Sequence, residues 1–169
     1  KDKSALLEAV LRRSDSLLRE AAIELYRYSE TPQERLWATI VANFSESIFN
    51  DRVSQAWVSL LSEVPHNQAC RRLRFVTNAR VESNFRYALK PFLDRENARQ
   101  VARTITMLID GIWMRRGSMI DDTGTKEALS EIERVVLKFL PTDADHLADH
   151  RAAREKMELV ARIALGSRA

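Results

Sequence analysis

The sequence predicts an all-α protein built as a helical bundle of about six or seven helices. Apolar residues make up 45% of the 169 residues, and along most of the chain they recur at steps of three and four, the spacing of one helical face. Only four glycines and four prolines are present, and no segment alternates between apolar and polar residues over the length of a strand. We therefore expect helices packed around one hydrophobic core.

The first two predicted helices are separated by the sharpest boundary signal in the sequence. Residues 4–28 carry apolar side chains on one face, which predicts a single amphipathic helix. The TPQE segment then opens a second helix, because Thr31 is a capping residue, Pro32 fits the first turn and Glu34 completes a capping box. The apolar stripe of this second helix runs on towards Phe49.

The third and fourth predicted helices differ in the charge of their outer faces. Residues 53–64 form an apolar stripe that begins after Asn50 or Asp51 and ends where a proline follows, since proline breaks a helix. Residues 68–89, with Asn67 as a cap, have fewer apolar positions and many arginines. One side of this fourth helix should be basic and solvated.

The remaining helices include the most apolar segments of the chain. Residues 97–116 and 126–140 hold helical spacing, and Pro141 ends the second of them. The sequence after Pro141 mixes both charges and predicts a weaker helix. We therefore expect a main domain at 1–140 and a charged helical C-terminal extension at 141–169, attached as an appendage.

The two apolar helices over 97–116 and 126–140 are too hydrophobic for the outside of a monomer. Two copies of this pair would form a four-helix interface, and a twofold homodimer is the commonest closed assembly of soluble proteins. Ordinary packing within one chain is the alternative. The interface residues that we predict are Val101, Ile105, Ile112, Ile132, Val136 and Phe139.

Charge and cysteine content exclude several classes of protein. The net charge of +3 is too weak to indicate nucleic-acid or membrane binding by itself. The single Cys70 excludes an intramolecular disulfide framework and fits a reducing compartment, so we expect a cytoplasmic location. No apolar stretch approaches the ~20 residues that cross a bilayer.

Neither a catalytic nor a metal-binding motif is present in convincing form. Glycine-rich phosphate loops and a GxSxG turn are absent from the sequence, and Cys70 has no visible activating partner, so we expect neither an enzyme nor a cofactor. His146 and His150 lie four residues apart beside three aspartates, a spacing that can chelate a metal. A third strong ligand is lacking, and mixed-charge segments are usually solvated helical faces. We expect no metal site.

Aromatic side chains are the most informative candidates for a binding site. Trp57, Trp113, Phe49 and Phe85 lie on different predicted helices that a bundle brings together. Such rings either pack in the core or form the walls of a ligand pocket between helices. The sequence alone leaves both interpretations open.

Asp110 is unusual because it stands between Ile109 and Ile112 on the most apolar helix. A carboxylate in such surroundings needs a cation or hydrogen-bond donors. One interpretation is a salt bridge to an arginine such as Arg35 or Arg80. The other is an anionic contact inside a ligand pocket, and the sequence favours neither.

Several motifs resemble those of TetR-type repressors. The opening KDKSALLEAVLRR resembles the segment that follows the DNA-binding helix-turn-helix in that family. The segments TPQERLWATIVANF, VSQAWVSLLSEVPHNQACRRL and MLIDGIWMRR, in that order and spacing, resemble the regulatory domain of the BetI-type subgroup. The similarity runs from residue 1 to about residue 140. BetI-type repressors respond to choline and control glycine betaine synthesis.

The resemblance implies a homodimeric effector-binding domain that releases operator DNA when a small molecule binds. It also implies a helix-turn-helix ahead of Lys1 that the sequence does not contain, so we expect either a fragment or a DNA-binding part that is not represented. For a choline-like effector, the chemistry of the side chains nominates Trp57 and Trp113 as walls and Asp110 as the compensating charge. Phe49 or Phe85 would close the cage.

Two other functions fit the same helical pattern. A TetR-type regulator with a different small-molecule effector would share every large-scale feature and differ only in its pocket. A helical scaffold that binds a partner through the basic helix 68–89 is the second alternative, although runs of charge are usually solvated faces.

Overall fold

The described part of the chain consists of seven α-helices joined by short connections. The computed structural model describes residues 3–141 and 143–166, apart from the side chains of residues 3, 4, 7 and 11. No strand occurs in these ranges, which confirms the all-α prediction. The start of the first quoted motif (residues 1 and 2) and parts of the predicted extension (142 and 167–169) lie outside the described residues. The helices are α1 Lys3–Tyr26, α2 Pro32–Ala42, α3 Asp51–Glu63, α4 Gln68–Leu89, α5 Arg95–Gly117, α6 Thr125–Val136 and α7 Ala144–Gly166.

Capping residues set the starts of three helices as the sequence predicts. At α2, the Thr31 hydroxyl accepts a hydrogen bond from the Glu34 amide at 3.1 Å, and the Glu34 carboxylate accepts one from the Thr31 amide at 3.4 Å. This is the predicted capping box. The side chains of Asn50 and Asn67 cap α3 and α4 in the same manner, each accepting from a backbone amide at 3.1 Å.

Two predicted helix ends lie too far along the chain. The second helix ends at Ala42, where the Asn43 side chain donates to the carbonyl of Thr39 at 2.8 Å, so Phe44 and Phe49 belong to the turns that follow. The sixth ends at Val136 instead of at residue 140. Tighter hydrogen bonds from residue i to i−3 continue beyond it, as is common in the last turn of a helix. Apolar spacing alone does not distinguish such turns from helix.

Helix α2 lies at the centre of the bundle, and all of its residues from Leu36 to Ala42 are buried. It packs most extensively against α7, and also against α1, α4 and α6. The helix predicted after Pro141 is therefore not an appendage, because its buried apolar side chains belong to the main core. They are Ala153, Met157, Ala161 and Leu165. Ion pairs fix this packing, among them one between Lys156 of α7 and Glu34 of α2 at 2.9 Å.

Most of the predicted dimer-interface side chains lie inside the protomer. Val101, Ile105, Ile112, Ile132 and Val136 are buried against neighbouring helices of the same chain, so they have no surface to offer a second copy. For these five residues the interface prediction is wrong, because α5 and α6 direct their most apolar faces inward. Phe139 is 45% exposed, as an interface would require.

Among the described residues, no helix is long and apolar enough to cross a membrane.

Candidate functional site

A cavity lies between α1, α3, α4 and α5, with the turn after α2 closing one side. Its volume is about 80 Å³, whereas one ordered water requires roughly 10–15 Å³ on the same measure. A small organic molecule fits; a drug-sized one does not. Most lining side chains are apolar, with a few polar groups among them, which is typical of ligand sites. They are Ser14, Asp15, Leu18, Asn43, Ile48, Val53, Trp57, Leu73, Arg74, Thr77, Asn78, Val81, Thr106, Ile109, Asp110 and Trp113.

Two tryptophans from different helices form the aromatic wall of the cavity. The rings of Trp57 on α3 and Trp113 on α5 have centroids 5.9 Å apart and are tilted by 54°. Phe49 packs its edge against Trp113 at 5.2 Å, and Phe44 packs against Phe49 at 5.1 Å. Rings at these distances and angles attract one another. The chain of rings holds Trp113 in a fixed orientation at the cavity surface.

The indole nitrogen of Trp113 has a backbone hydrogen-bond partner. Its N–H donates to the carbonyl oxygen of Asn43 at 3.1 Å. This carbonyl lies at the end of α2, where no further helical amide follows to donate to it. The polar edge of the indole is thereby satisfied. The indole ring itself lines the cavity.

Asp110 forms a salt bridge with Arg74 within the cavity wall. An Nη atom of Arg74 donates to a carboxylate oxygen of Asp110 at 2.7 Å, with the two side chains 16% and 33% exposed. The same guanidinium lies over the ring of Trp57, 4.9 Å from its centroid. The predicted partners Arg35 and Arg80 are thus wrong, since Arg74 on α4 pairs with Asp110. Asp110 is nonetheless both salt-bridged and exposed to the cavity.

A second carboxylate from α1 faces the same cavity. Asp15 pairs with the guanidinium of Arg80, and the hydroxyl of Thr77 donates to it at 2.9 Å. Both partners belong to α4. The cavity wall therefore contains two linked acid–base pairs, one joining α4 to α5 and the other joining α4 to α1.

The structure brings three of the five predicted ligand residues to the cavity. Trp57, Trp113 and Asp110 line it. Phe49 is buried behind Trp113 and supports that ring. Phe85 is fully buried in the main core and is not a lining residue, so it does not close a cage there.

The sequence analysis did not predict Arg74 and Asp15 as site residues, because charged side chains usually lie on the solvated surface. Their spacing from buried residues nevertheless indicates that they face inward. Arg74 lies one helical turn from Cys70 and Thr77, on the face of α4 that turns inward, and Asp15 precedes the inward Leu18 and Ala22 of α1 at steps of three and seven. A charged residue in register with a buried stripe is a candidate for a paired or ligand-binding role.

The helices α3 and α5 approach each other closely beside the tryptophans. A Cβ atom placed on Gly117 would lie 2.3 Å from the carbonyl oxygen of Ser54 and 2.6 Å from a methyl group of Val58. Only glycine permits this crossing. The contact fixes the distance between the helix of Trp57 and the helix of Trp113.

The two histidines considered for a metal occupy different surroundings. His146 lies near the surface and its Nδ1 is 2.9 Å from Asp143. His150 is fully buried, stacks against Phe92 at 5.4 Å and has no hydrogen-bond partner among the described residues. Burial lowers the pKa of His150. In the described part of the chain, no group of three potential ligands is arranged to hold a metal ion.

Comparison with known proteins gives consistent matches. Residues 32–141 match the family described as BetI-type transcriptional repressor, C-terminal. The chain is 35% identical over 131 residues to "HTH-type transcriptional regulator BetI" of Pseudomonas paraeruginosa, and 35% identical over 132 residues to the protein of that name from Burkholderia mallei. Each match covers 76% of this chain and 66% of the relative, so the chain spans about two thirds of their length. No solved structure matches significantly.

Proposed function

Because the chain belongs to the family of BetI-type transcriptional repressor C-terminal domains, we propose that it is the effector-binding part of a ligand-responsive repressor. The proposed effector is choline or a related quaternary ammonium, sensed in the cytoplasm to control glycine betaine synthesis. The cavity between α1, α3, α4 and α5 is the proposed effector site. One observation carries the proposal: Trp57 and Trp113 meet beside Asp110 around a volume suited to a small molecule.

The chemistry of a quaternary ammonium fits this set of side chains. Its nitrogen has no N–H to donate, so it binds to the faces of aromatic rings and near carboxylates. Trp57 and Trp113 offer such faces, and Asp110 offers the compensating charge. Neutral polar residues such as Asn43 and Thr106 also line the cavity. Their side chains already donate to backbone carbonyls, so a hydroxyl on the same ligand would have to donate to them.

Effector binding is proposed to act on DNA through the arrangement of the helices around the cavity. All four helices of the cavity wall have to accommodate the ligand, and α1 leads towards the start of the chain. A ligand changes the population of two arrangements only if it binds them with unequal affinity. We propose that this changes the separation of two DNA-reading helices that have to match half-sites about one DNA turn apart.

We also propose a homodimer whose interface consists of the outer face of α5 and the turn that follows α6. These surfaces carry large apolar side chains that the protomer leaves uncovered: Met107 of α5 is 58% exposed, Met114 of α5 48% and Phe139 in the turn 45%. Burial of such side chains against a second copy would stabilise a twofold interface.

Calorimetric titration with choline tests the effector assignment. Glycine betaine and the neutral isostere 3,3-dimethyl-1-butanol serve as comparison ligands. We expect saturable binding of choline and much weaker binding of the isostere, which lacks the charge. Trp113→Ala should weaken choline binding about tenfold or more, since one cation–π contact contributes about 1–2 kcal/mol.

Trp37→Phe provides the matched control, because Trp37 is fully buried in the core and does not line the cavity. This variant should lose stability and keep its affinity for choline. A folded protein that binds neither choline nor glycine betaine would refute the choline assignment and leave the family assignment intact.

A further inference from the structure

Arg74 occupies the position that an organic cation needs. Its guanidinium lies over the ring of Trp57, 4.9 Å from the centroid, and donates to Asp110 at 2.7 Å. An aromatic face and a carboxylate are the same two groups that we assign to the effector. We propose that Arg74 is an internal cation that the effector displaces, and that it thereby sets the affinity and selectivity of the site; this inference rests on the proposed function.

The two cations exclude each other because they would use the same two groups. The guanidinium lies over the Trp57 ring and donates to Asp110, so a trimethylammonium group cannot contact both groups at that position while Arg74 stays there. Two positive charges at such short range also repel each other. The effector therefore replaces Arg74, and only a ligand with a full positive charge can take over its role beside Asp110.

The two acid–base pairs of the cavity differ in how firmly they are held. Asp15 is bound by both Arg80 and Thr77, so a ligand would have to break two contacts to reach it. Asp110 receives its hydrogen bond from Arg74 alone among the described contacts. Of the two pairs, Arg74 with Asp110 is the exchangeable one.

Exchange of one cation for another has two measurable consequences. First, removal of the internal competitor should strengthen binding of a small cation. Second, the number of charges at the site stays constant on binding to the native protein, so affinity should depend only weakly on salt. Without Arg74, a cation binds an unpaired carboxylate, and its affinity should fall more steeply with salt.

The first experiment titrates tetramethylammonium and choline into the protein, Arg74→Gln and the control Arg72→Gln by calorimetry. Arg72 lies on the same helix and is exposed. We expect Arg74→Gln to bind both cations at least tenfold more tightly than the native protein does, with a steeper salt dependence. Arg72→Gln should bind as the native protein binds.

The second experiment follows the guanidinium of Arg74 in the native protein while the ligand is added. The Nε–H resonance of Arg74, assigned by its loss in Arg74→Lys, reports the guanidinium directly by nuclear magnetic resonance. Addition of tetramethylammonium to the native protein should move this signal towards the position of free arginine. The signals of Arg80, which keeps its pair with Asp15, should change little.

The outcomes separate this inference from the function on which it rests. Choline binding by the native protein with an unmoved Arg74 signal, or with equal affinity in Arg74→Gln, overturns the displacement of Arg74 and leaves the choline assignment in place. Failure of both proteins to bind any of the cations overturns both proposals. Tighter binding by Arg74→Gln together with a shifted Arg74 signal supports both.

Discussion

Replacement of Gly117 with alanine tests the close approach of α3 and α5. The added methyl carbon would lie 2.3 Å from the Ser54 carbonyl oxygen, 2.7 Å from the carbonyl carbon of that residue and 2.6 Å from a Val58 methyl group. The first two atoms are backbone and cannot rotate away. The helices would have to separate by about 1 Å to reach ordinary contact distances, which is overpacking of the kind that costs about 1–3 kcal/mol.

The gain in helix propensity offsets part of this cost. Alanine is favoured over glycine by up to about 1 kcal/mol within a helix, although less at Gly117, which is the last residue of α5. We expect a net loss of about 1–2 kcal/mol. For a chain of this length that corresponds to a fall in Tm of roughly 2–8 °C.

Gly111→Ala is the matched control on the same helix. A Cβ atom there would have no neighbour within 4 Å, so the propensity gain should appear without a clash and raise stability by up to about 1 kcal/mol. Urea denaturation of both variants measures the difference. If Gly117→Ala is as stable as Gly111→Ala, the close crossing of α3 and α5 does not exist as described.

Two further predictions concern α7 and the proposed dimer interface on α5 and the turn after α6. Because burial lowers the pKa of His150, the free energy of unfolding should be highest above about pH 6.5 and should fall as the pH drops below that value, since the unfolded chain then binds the proton more readily. In urea titrations from pH 8 to pH 5, His150→Phe should flatten this slope, whereas His66→Phe, at an exposed site, should keep it; a slope that survives in His150→Phe belongs to another group. The double variant Met107→Arg, Phe139→Arg should be a monomer, so light scattering should give half the molar mass of the native dimer. The control Ile163→Arg, on the exposed side of α7, should keep the dimer mass. A double variant that stays dimeric would place the interface elsewhere.

Local sequence signals were sufficient to predict where α2, α3 and α4 begin. The capping box at Thr31 and the caps at Asn50 and Asn67 depend on residues within one turn of each other, and such contacts can be inferred from the order of residues alone. The predicted ends of the second and sixth helices were wrong. The last residues of α2 and α6 pass into turns that keep apolar side chains inward, so the hydrophobic pattern continues where the helix does not.

For contacts between helices, the sequence predicts which kind of group is needed but not which residue provides it. The carboxylate of Asp110 needs a cation, but that this cation is Arg74 and not Arg35 or Arg80 depends on how α4 and α5 are aligned along each other. The same limit explains the interface residues. The apolar pattern of Val101 and its neighbours requires that they be covered, but it does not distinguish cover by the same chain from cover by a second copy.

Because α1 is held in the core at its C-terminal part, a displacement of this helix at the cavity becomes larger towards its N-terminus. Its 24 residues span about 36 Å, and its C-terminal part is fixed in the core by Ala22 and Leu25. Asp15, at the cavity, lies about 10 Å from Ala22 along the axis, whereas the exposed Leu6 lies about 24 Å from it. A sideways movement of 1 Å imposed at Asp15 would therefore become more than about 2 Å at Leu6. The length of α1 beyond the cavity, more than the size of the ligand, would determine how far a change at the cavity is carried.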